Sequence, residues 1–289
     1  MPGSAPEMPR FLLAPDMPEV EREVLAVGEV AFFSAPSPER EGDNEDAAAL
    51  LPFGPDAAVL VVADGMGGGP SGARASGLAI QELWQSLLEG RRAGWKLRTA
   101  ILNGIERAND AVCALGVGAA TTLAAVEIQA GRVRPYHVGD SLILLVGQRG
   151  KLKLETVSHS PVGFAVEAGV LDARDAMHHE DRHLVSNLIG SGDMRIEVGS
   201  ERALAPRDTL LLASDGLSDN LTTREIAARV RTGPLVEAAE ALASTARRRM
   251  YTPADHEPSK PDDLTLLAFR PRAARRDDPA SPAPPASLR

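Results

Sequence analysis

Apolar positions along this chain are grouped in two ways. Short runs rich in valine, leucine and alanine occupy residues 24–33, 47–53, 59–62, 121–128, 133–138, 142–146, 152–157, 196–198, 209–213 and 264–269. These are too short for ordinary helices and read as strands. Two longer stretches have helical spacing instead. Ala75, Ala79, Leu83 and Leu87, with Leu78 beside them, share one face of a helix over 72–88. Ile101, Ile105, Ala108, Val112 and Leu115 do the same in a second helix. The two stripes are expected to pack on each other as core, not to hold a cofactor.

Polar punctuation fixes the rest of the order. Gly131 and the 147–150 segment mark hairpin turns, and a helical piece is expected around 165–177. Thr222 and Glu225 offer a capping box that opens a helix through Val230. Residues 235–248 form another helix before the last strand. Strands in hairpin-like order interspersed with helix pairs predict an α+β chain with antiparallel sheets. No long linker or internal repeat divides it. The expected organisation is a flexible Pro- and Glu-rich extension over 1–22, one domain over 23–270, and a disordered Pro/Ala/Arg tail over 271–289.

Composition narrows the function classes. The chain has 289 residues, is 44% hydrophobic and 25% charged, and carries a net charge of -9. That acidity excludes a general affinity for nucleic acid or anionic membranes. No apolar run is long enough to span a bilayer, and the N-terminus lacks the basic and apolar regions of a signal peptide. The one cysteine, Cys113, excludes a disulfide framework and reads as a buried small hydrophobe. A cytoplasmic protein is expected.

The candidate chemistry lies where strands end. The run 59–62 closes in Asp64-Gly65 and a glycine cluster, and 209–213 closes in Ser214-Asp215-Gly216. Asp140 follows 133–138, Glu45-Asp46 precedes 47–53, and Asp262-Asp263 precedes 264–269. Any one of these, taken singly, is a solvated turn, and Asp-Gly is also a common hairpin signal. Five at the ends of core strands are harder to explain that way. Converging carboxylates repel and raise one another's pKa, so cations are needed to hold them together. An oxygen-only donor set favours Mg²⁺ or Mn²⁺ over zinc, and no Cys/His set of zinc spacing competes.

The ordered series Asn44-Glu45-Asp46, Ala63 to Gly68, Gly72 with Ala75-Ser76, Thr121-Thr122, Gly139-Asp140-Ser141, Ser214 to Leu217 and Asp262 to Thr265 resembles the metal-dependent protein phosphatases of type 2C. Bacterial members, with Met after the first Asp-Gly, are the most similar. The resemblance covers about residues 24–269. It implies two antiparallel β-sheets sandwiched between pairs of antiparallel helices, with two or three Mg²⁺ or Mn²⁺ ions at one end. By resemblance, Asp64 bridges two ions, Glu45 and the Gly65 carbonyl complete one, and Asp215 and Asp262 the other. Asp46 holds a metal-bound water, and Asp140 with Asp215 matches a third, looser site. The implied reaction is hydrolysis of phosphoserine and phosphothreonine in proteins by a metal-bridging hydroxide. A serine/threonine kinase is an implied partner.

The chain also departs from that pattern. The family's phosphate-binding arginine falls at Glu41, so Arg40, one residue earlier, is expected to serve after a small loop shift. Gly69, Ala73, Ala120, Leu142 and Ser158 replace residues usual in the family. Met66 stands where some relatives carry a His proposed as general acid, and a thioether cannot give a proton. Leaving-group protonation would then fall to a metal-bound water. His159 reads as a loop or structural residue. His179 and His183, four apart, suggest a second metal site, but a solvated flap over 161–183 is the better reading. The alternative to an enzyme is a weak or inactive binding module on the same fold, motivated by these departures. A phosphoesterase acting on small esters stays open.

Overall fold

A computed structural model describes residues 8–39, 42–68, 70–116 and 118–272. Two antiparallel sheets stack face to face. The first contains β1 (Arg10–Leu13), β4 (Asp46–Pro52), β5 (Ala57–Met66), β7 (Leu123–Gln129), β8 (Arg132–Val138) and β11 (Glu197–Val198) in that spatial order. Short β6 (Ala120–Thr121) pairs with β5, and β12 (Arg202–Ala203) with β8. The second runs β10 (Leu152–Glu155), β9 (Leu142–Val146), β13 (Thr209–Ala213), β14 (Leu264–Pro271), β3 (Gly28–Ala35), β2 (Glu21–Leu25).

Alternation along one strand explains the layering. On β4, Ala47, Ala49 and Leu51 face a core shared with helices α1 (Pro70–Ala93) and α2 (Leu97–Cys113), which includes Ala79, Leu83, Ile101 and Ile105. Ala48 and Leu50 face the opposite way, into the core between the sheets with Phe32, Leu212 and Leu266. Helices α6 (Thr223–Val230) and α7 (Leu235–Tyr251) cover the second sheet through Ile226, Leu242 and Ala246. The α-β-β-α sandwich follows from strands buried on both faces. The capping box is present, with the Thr222 hydroxyl accepting from the Glu225 N–H and the Glu225 carboxylate accepting from the Thr222 N–H.

Several expectations change. Residues 24–33 are not one strand. The chain turns at Ala26-Val27 and returns as β3, and neither residue carries turn chemistry that the sequence would betray. The extension is not wholly free of structure, because β1 pairs with β4 from Arg10↔Leu50 to Leu13↔Ala47 and buries Leu12. The piece around 165–177 is two short helices, α3 (Pro161–Glu167) and α4 (Ala173–Ala176), with a 3₁₀ turn at Glu180–His183. A one-turn helix, α5 (Asp215–Ser218), follows β13. Cys113 is exposed, at the end of α2 and off the apolar stripe that buries its neighbour Val112. Arg40, Glu41 and the tail from residue 273 lie outside the described residues. Among the described residues no helix is long and apolar enough to cross a membrane.

Candidate metal centre

The β4–β5 register sets Asp46 directly opposite Asp64, at the same end of the first sheet. The β13–β14 pairing brings Ser214-Asp215 and Asp262 to that rim from the second sheet, since Ala213 pairs with Leu266. Convergence is visible in the electrostatics. Desolvation, and then the charges of Asp46, Asp215, Asp262 and Asp140, push the Asp64 carboxyl well above the usual carboxylate range. Asp46 is raised in the same way, by desolvation above all, with Asp263 and Asp262 adding to it. Asp140 is pushed up to about 8 by desolvation, Asp215 and Asp219. Asp262 rises to about 6 through desolvation and Asp215.

Backbone contacts hold these acids in place. The Asp64 N–H donates to Thr122 Oγ1 at 3.0 Å, and its carbonyl accepts from Thr121 Oγ1 at 2.8 Å and the Thr122 N–H at 2.9 Å. Thr122 also bonds Ser141, beside Asp140, at 2.7 Å. Ser76 on α1 donates to the Glu45 carbonyl at 2.6 Å, and the Gly65 N–H donates to the same oxygen at 3.2 Å. Backbone atoms leave room only for glycine at Gly65, and the Glu45 carboxylate crowds any side chain at Gly72. A Cβ on Gly65 would sit 2.2 Å from the Gly72 carbonyl, and one on Gly72 would sit 2.5 Å from Glu45 Oε1. That packing brings Glu45 to the Gly65 turn.

Three functional residues were not singled out from sequence. Asp263 is buried and accepts the Ser37 and Glu45 amides, both at 2.7 Å, so it fixes the loop that leads into Glu45. Asp219, four residues after Asp215, lies on the same face of the α5 turn, a spacing that could have flagged it. Lys260 reaches Asp215 Oδ2 at 2.5 Å, Asp219 Oδ2 at 2.8 Å and Asp262 Oδ2 at 3.2 Å. Desolvation works against its charge, yet these three acids hold its pKa above the ordinary lysine value.

The rim fits hard divalent ions. Asp46 Oδ1 and Asp215 Oδ1 are buried without a hydrogen-bond partner, and the donors around them are oxygens. A cleft of about 1430 Å³ adjoins them, lined by Asp140, Asp215 and Asp219 on one side and by the 158–182 segment and α6 on the other. Elsewhere, His137, His159 and Glu197 form the one His/acid group of ligand-like proximity among the described residues. Its nitrogens are otherwise engaged at His159. Nδ1 accepts from the Gly139 N–H at 3.1 Å and from Asn187 at 2.9 Å, so Nε2 carries the proton toward Glu197. His159 thus has the structural role expected of it, steadying the turn before Asp140. His179 caps a turn by accepting the Asp181 N–H, and neither it nor His183 joins a ligand group among the described residues.

A family model described as protein phosphatase 2C matches residues 38–252. The chain belongs to this family. It is 30% identical over 192 residues to protein phosphatase PhpP of Streptococcus pneumoniae, covering 64% of this chain and 77% of that one. Among solved structures, the serine/threonine phosphatase of S. agalactiae superposes with a TM-score of 0.71 at 25% identity, over 87% of this chain and all of that one. The catalytic domain of the serine/threonine phosphatase PstP, solved with two manganese ions, gives 0.65 at 25% identity, over 84% of this chain and 98% of that one. By family and fold the chain is a metal-dependent phosphoprotein phosphatase.

Proposed function

We propose that this chain is a Mg²⁺- or Mn²⁺-dependent phosphatase that removes phosphate from phosphoserine and phosphothreonine in proteins. The single observation that carries the reading is the meeting of Asp46, Asp64, Asp140, Asp215 and Asp262 at one rim. Asp64, Glu45, the Gly65 carbonyl, Asp215 and Asp262 are the groups that would hold the ions. Asp140 lies beside Asp215 and Asp219. When bound, the ions activate water and neutralise the negative charge of the phosphate group.

The protein's own groups do the orienting. Asp46 accepts from Ser214 through Oδ2, which leaves the buried Oδ1 as the acceptor that orients the attacking water. Arg40, outside the described residues, is the candidate donor to the phosphate oxygens. The phosphopeptide lies in the cleft between the 158–182 segment and α6. Met66 at the end of β5 supplies no proton, so the leaving serine or threonine oxygen takes its proton from water. A cytoplasmic setting, with a serine/threonine kinase producing the substrate, completes the reading.

The test is hydrolysis of a phosphothreonine peptide with Mn²⁺, with and without chelator, set against Asp215→Asn. Chelator-sensitive turnover that the variant lacks is expected. Wild-type turnover no higher than that of the variant refutes the assignment. Catalytic efficiency on small phosphate esters, measured alongside, separates a protein phosphatase from a general phosphoesterase.

A further inference from the structure

Three carboxylates of the acidic rim already share a cation, and the chain itself provides it. The Lys260 ammonium stands 2.5 Å from Asp215 Oδ2, 2.8 Å from Asp219 Oδ2 and 3.2 Å from Asp262 Oδ2. An ammonium has three N–H donors and no acceptor; here it donates to Asp215 Oδ2 and lies within ion-pair distance of Asp219 and Asp262. It is a compact point charge, closer in kind to a small metal ion than a guanidinium would be.

The backbone that carries this lysine is held as a built feature, not as a loose surface segment. Asn220, fully buried at the end of the α5 turn, accepts the Lys260 N–H at 3.0 Å and donates to the Lys260 carbonyl at 2.8 Å. The same Asn220 amide donates to the Gly216 carbonyl at 2.9 Å, next to Asp215. Arg249 donates to the Asn220 carbonyl from α7. Arg182 donates to the Ser259 carbonyl at 3.0 Å from the flap side. Lysine and acids are therefore positioned by one shared hydrogen-bond system.

We infer that Lys260 is a resident counter-ion of the metal centre: it fills one cation position beside Asp215, Asp219 and Asp262, so that this chain binds two divalent ions and excludes a further one from the outer rim. The inference rests on the metal-dependent reading of the site and deepens it. Asp64, and the Oδ1 of Asp215 that the ammonium does not touch, are left to the divalent ions. The ammonium also lets the rim fold before any metal arrives, because it offsets part of the repulsion among these acids. Since it draws on Asp215 and Asp262, it competes with the ions for those oxygens and weakens their binding.

Calorimetric Mn²⁺ titration of the full chain tests this. Wild type is expected to bind two ions. Lys260→Gln, which removes the charge and leaves a polar side chain one atom shorter, is expected to bind a further ion or to bind Mn²⁺ on the order of tenfold more tightly. In chelator, Lys260→Gln is expected to melt at lower temperature than wild type, and saturating Mn²⁺ to close that gap. Unchanged stoichiometry and affinity in the variant overturn the inference. Should the variant not fold, Mn²⁺ anomalous density in wild-type crystals decides. An ion ligated by Asp219 overturns the inference, and its absence beside two bound ions supports it. Two ions bound with no turnover of phosphopeptide would sink the phosphatase reading and leave this one standing. Turnover with three ions would do the reverse.

Discussion

Ser214 of the second sheet donates a 2.7 Å hydrogen bond to Asp46 of the first. Both residues are fully buried, and the bond is one of the ties that close the sandwich at its acidic rim. The same hydroxyl accepts the Thr265 N–H at 3.0 Å, so one small side chain serves β14, β4 and the turn into Asp215. Replacing Ser214 with Ala leaves a buried carboxylate oxygen and a backbone amide without partners. The expected loss is about 1.5–3 kcal/mol in urea unfolding, as for a hydrogen bond to a charged group. Turnover should fall on the order of tenfold with little change in KM, because Asp46 loses orientation and the substrate contacts stay. A variant as stable and active as wild type would remove Ser214 from the centre.

The close approach of Gly72 to Glu45 makes a second prediction. A Cβ there would meet Glu45 Oε1 at 2.5 Å, and the Glu45 backbone is pinned by Asp263 and Ser76. Gly72→Ala must therefore move the carboxylate instead of the chain. Overpacking of this sort costs about 1–3 kcal/mol. The more specific outcome is a Mn²⁺ affinity lowered by roughly tenfold, read by calorimetry, with Asp64 and Asp215 intact. Equal affinity would separate Glu45 from the ions.

Much of this centre could be read from the chain alone, and the reason is physical. A buried strand that stops abruptly at an acid is a local signal, so Asp64, Asp215, Asp140, Asp262 and Glu45-Asp46 stood out before any fold was known. The helix pair was equally legible, because Ala75 to Leu87 repeat with the helical period. What escaped depends on distant partners. Lys260 looks like any solvated lysine until Asp215, 45 positions away, is placed beside it. Asp263 was seen only as a neighbour of Asp262, although its two oxygens hold amides 226 and 218 positions distant. Arg10–Leu13 is four residues long and lies among prolines, so its strand exists only because the β4 edge is there to pair with.

Arg249 supplies a prediction on stability. Its guanidinium is buried on α7, donates to Glu225 Oε1 at 2.6 Å and Oε2 at 3.2 Å, and reaches the Asn220 carbonyl. Arg249→Met removes one partner of an ion pair and leaves Glu225 with its capping contacts alone. The expected loss is about 1.5–3 kcal/mol, as for charge-assisted hydrogen bonds, because the Glu225 left behind is partly exposed. Because Asn220 brackets Lys260, the variant should also alter Mn²⁺ binding, although Arg249 touches no carboxylate of the rim. Thermal unfolding with and without Mn²⁺ measures both effects. A loss of stability independent of Mn²⁺ would show that Asn220 does not transmit to the centre.

The repulsion among the acids fixes the sign of the pH response when ions are removed. Asp140 is raised to about 8, and Asp219 and Asp262 to about 6, from 3.8, in each case by desolvation first and then by the charge of Asp215. Between roughly pH 4 and 8 the folded chain therefore binds more protons at the rim than the unfolded chain does, and stability falls as pH rises through that window. His137 acts in the opposite sense. Burial first, then the nearby His159, lower it from 6.5 to about 3, so its contribution is lost as pH falls below about 6.5. Comparing pH 6.5 with pH 8 largely avoids that titration, and His137 responds alike with or without ions. In chelator the urea midpoint should be lower at pH 8 than at pH 6.5. With Mn²⁺ the ions take the place of the protons, so the slope should vanish or reverse, and calorimetry in two buffers should register protons released on binding. A chelated protein that gains stability from pH 6.5 to 8 would mean that the rim carboxylates ionise without opposing one another, which is incompatible with the cluster described for Asp64.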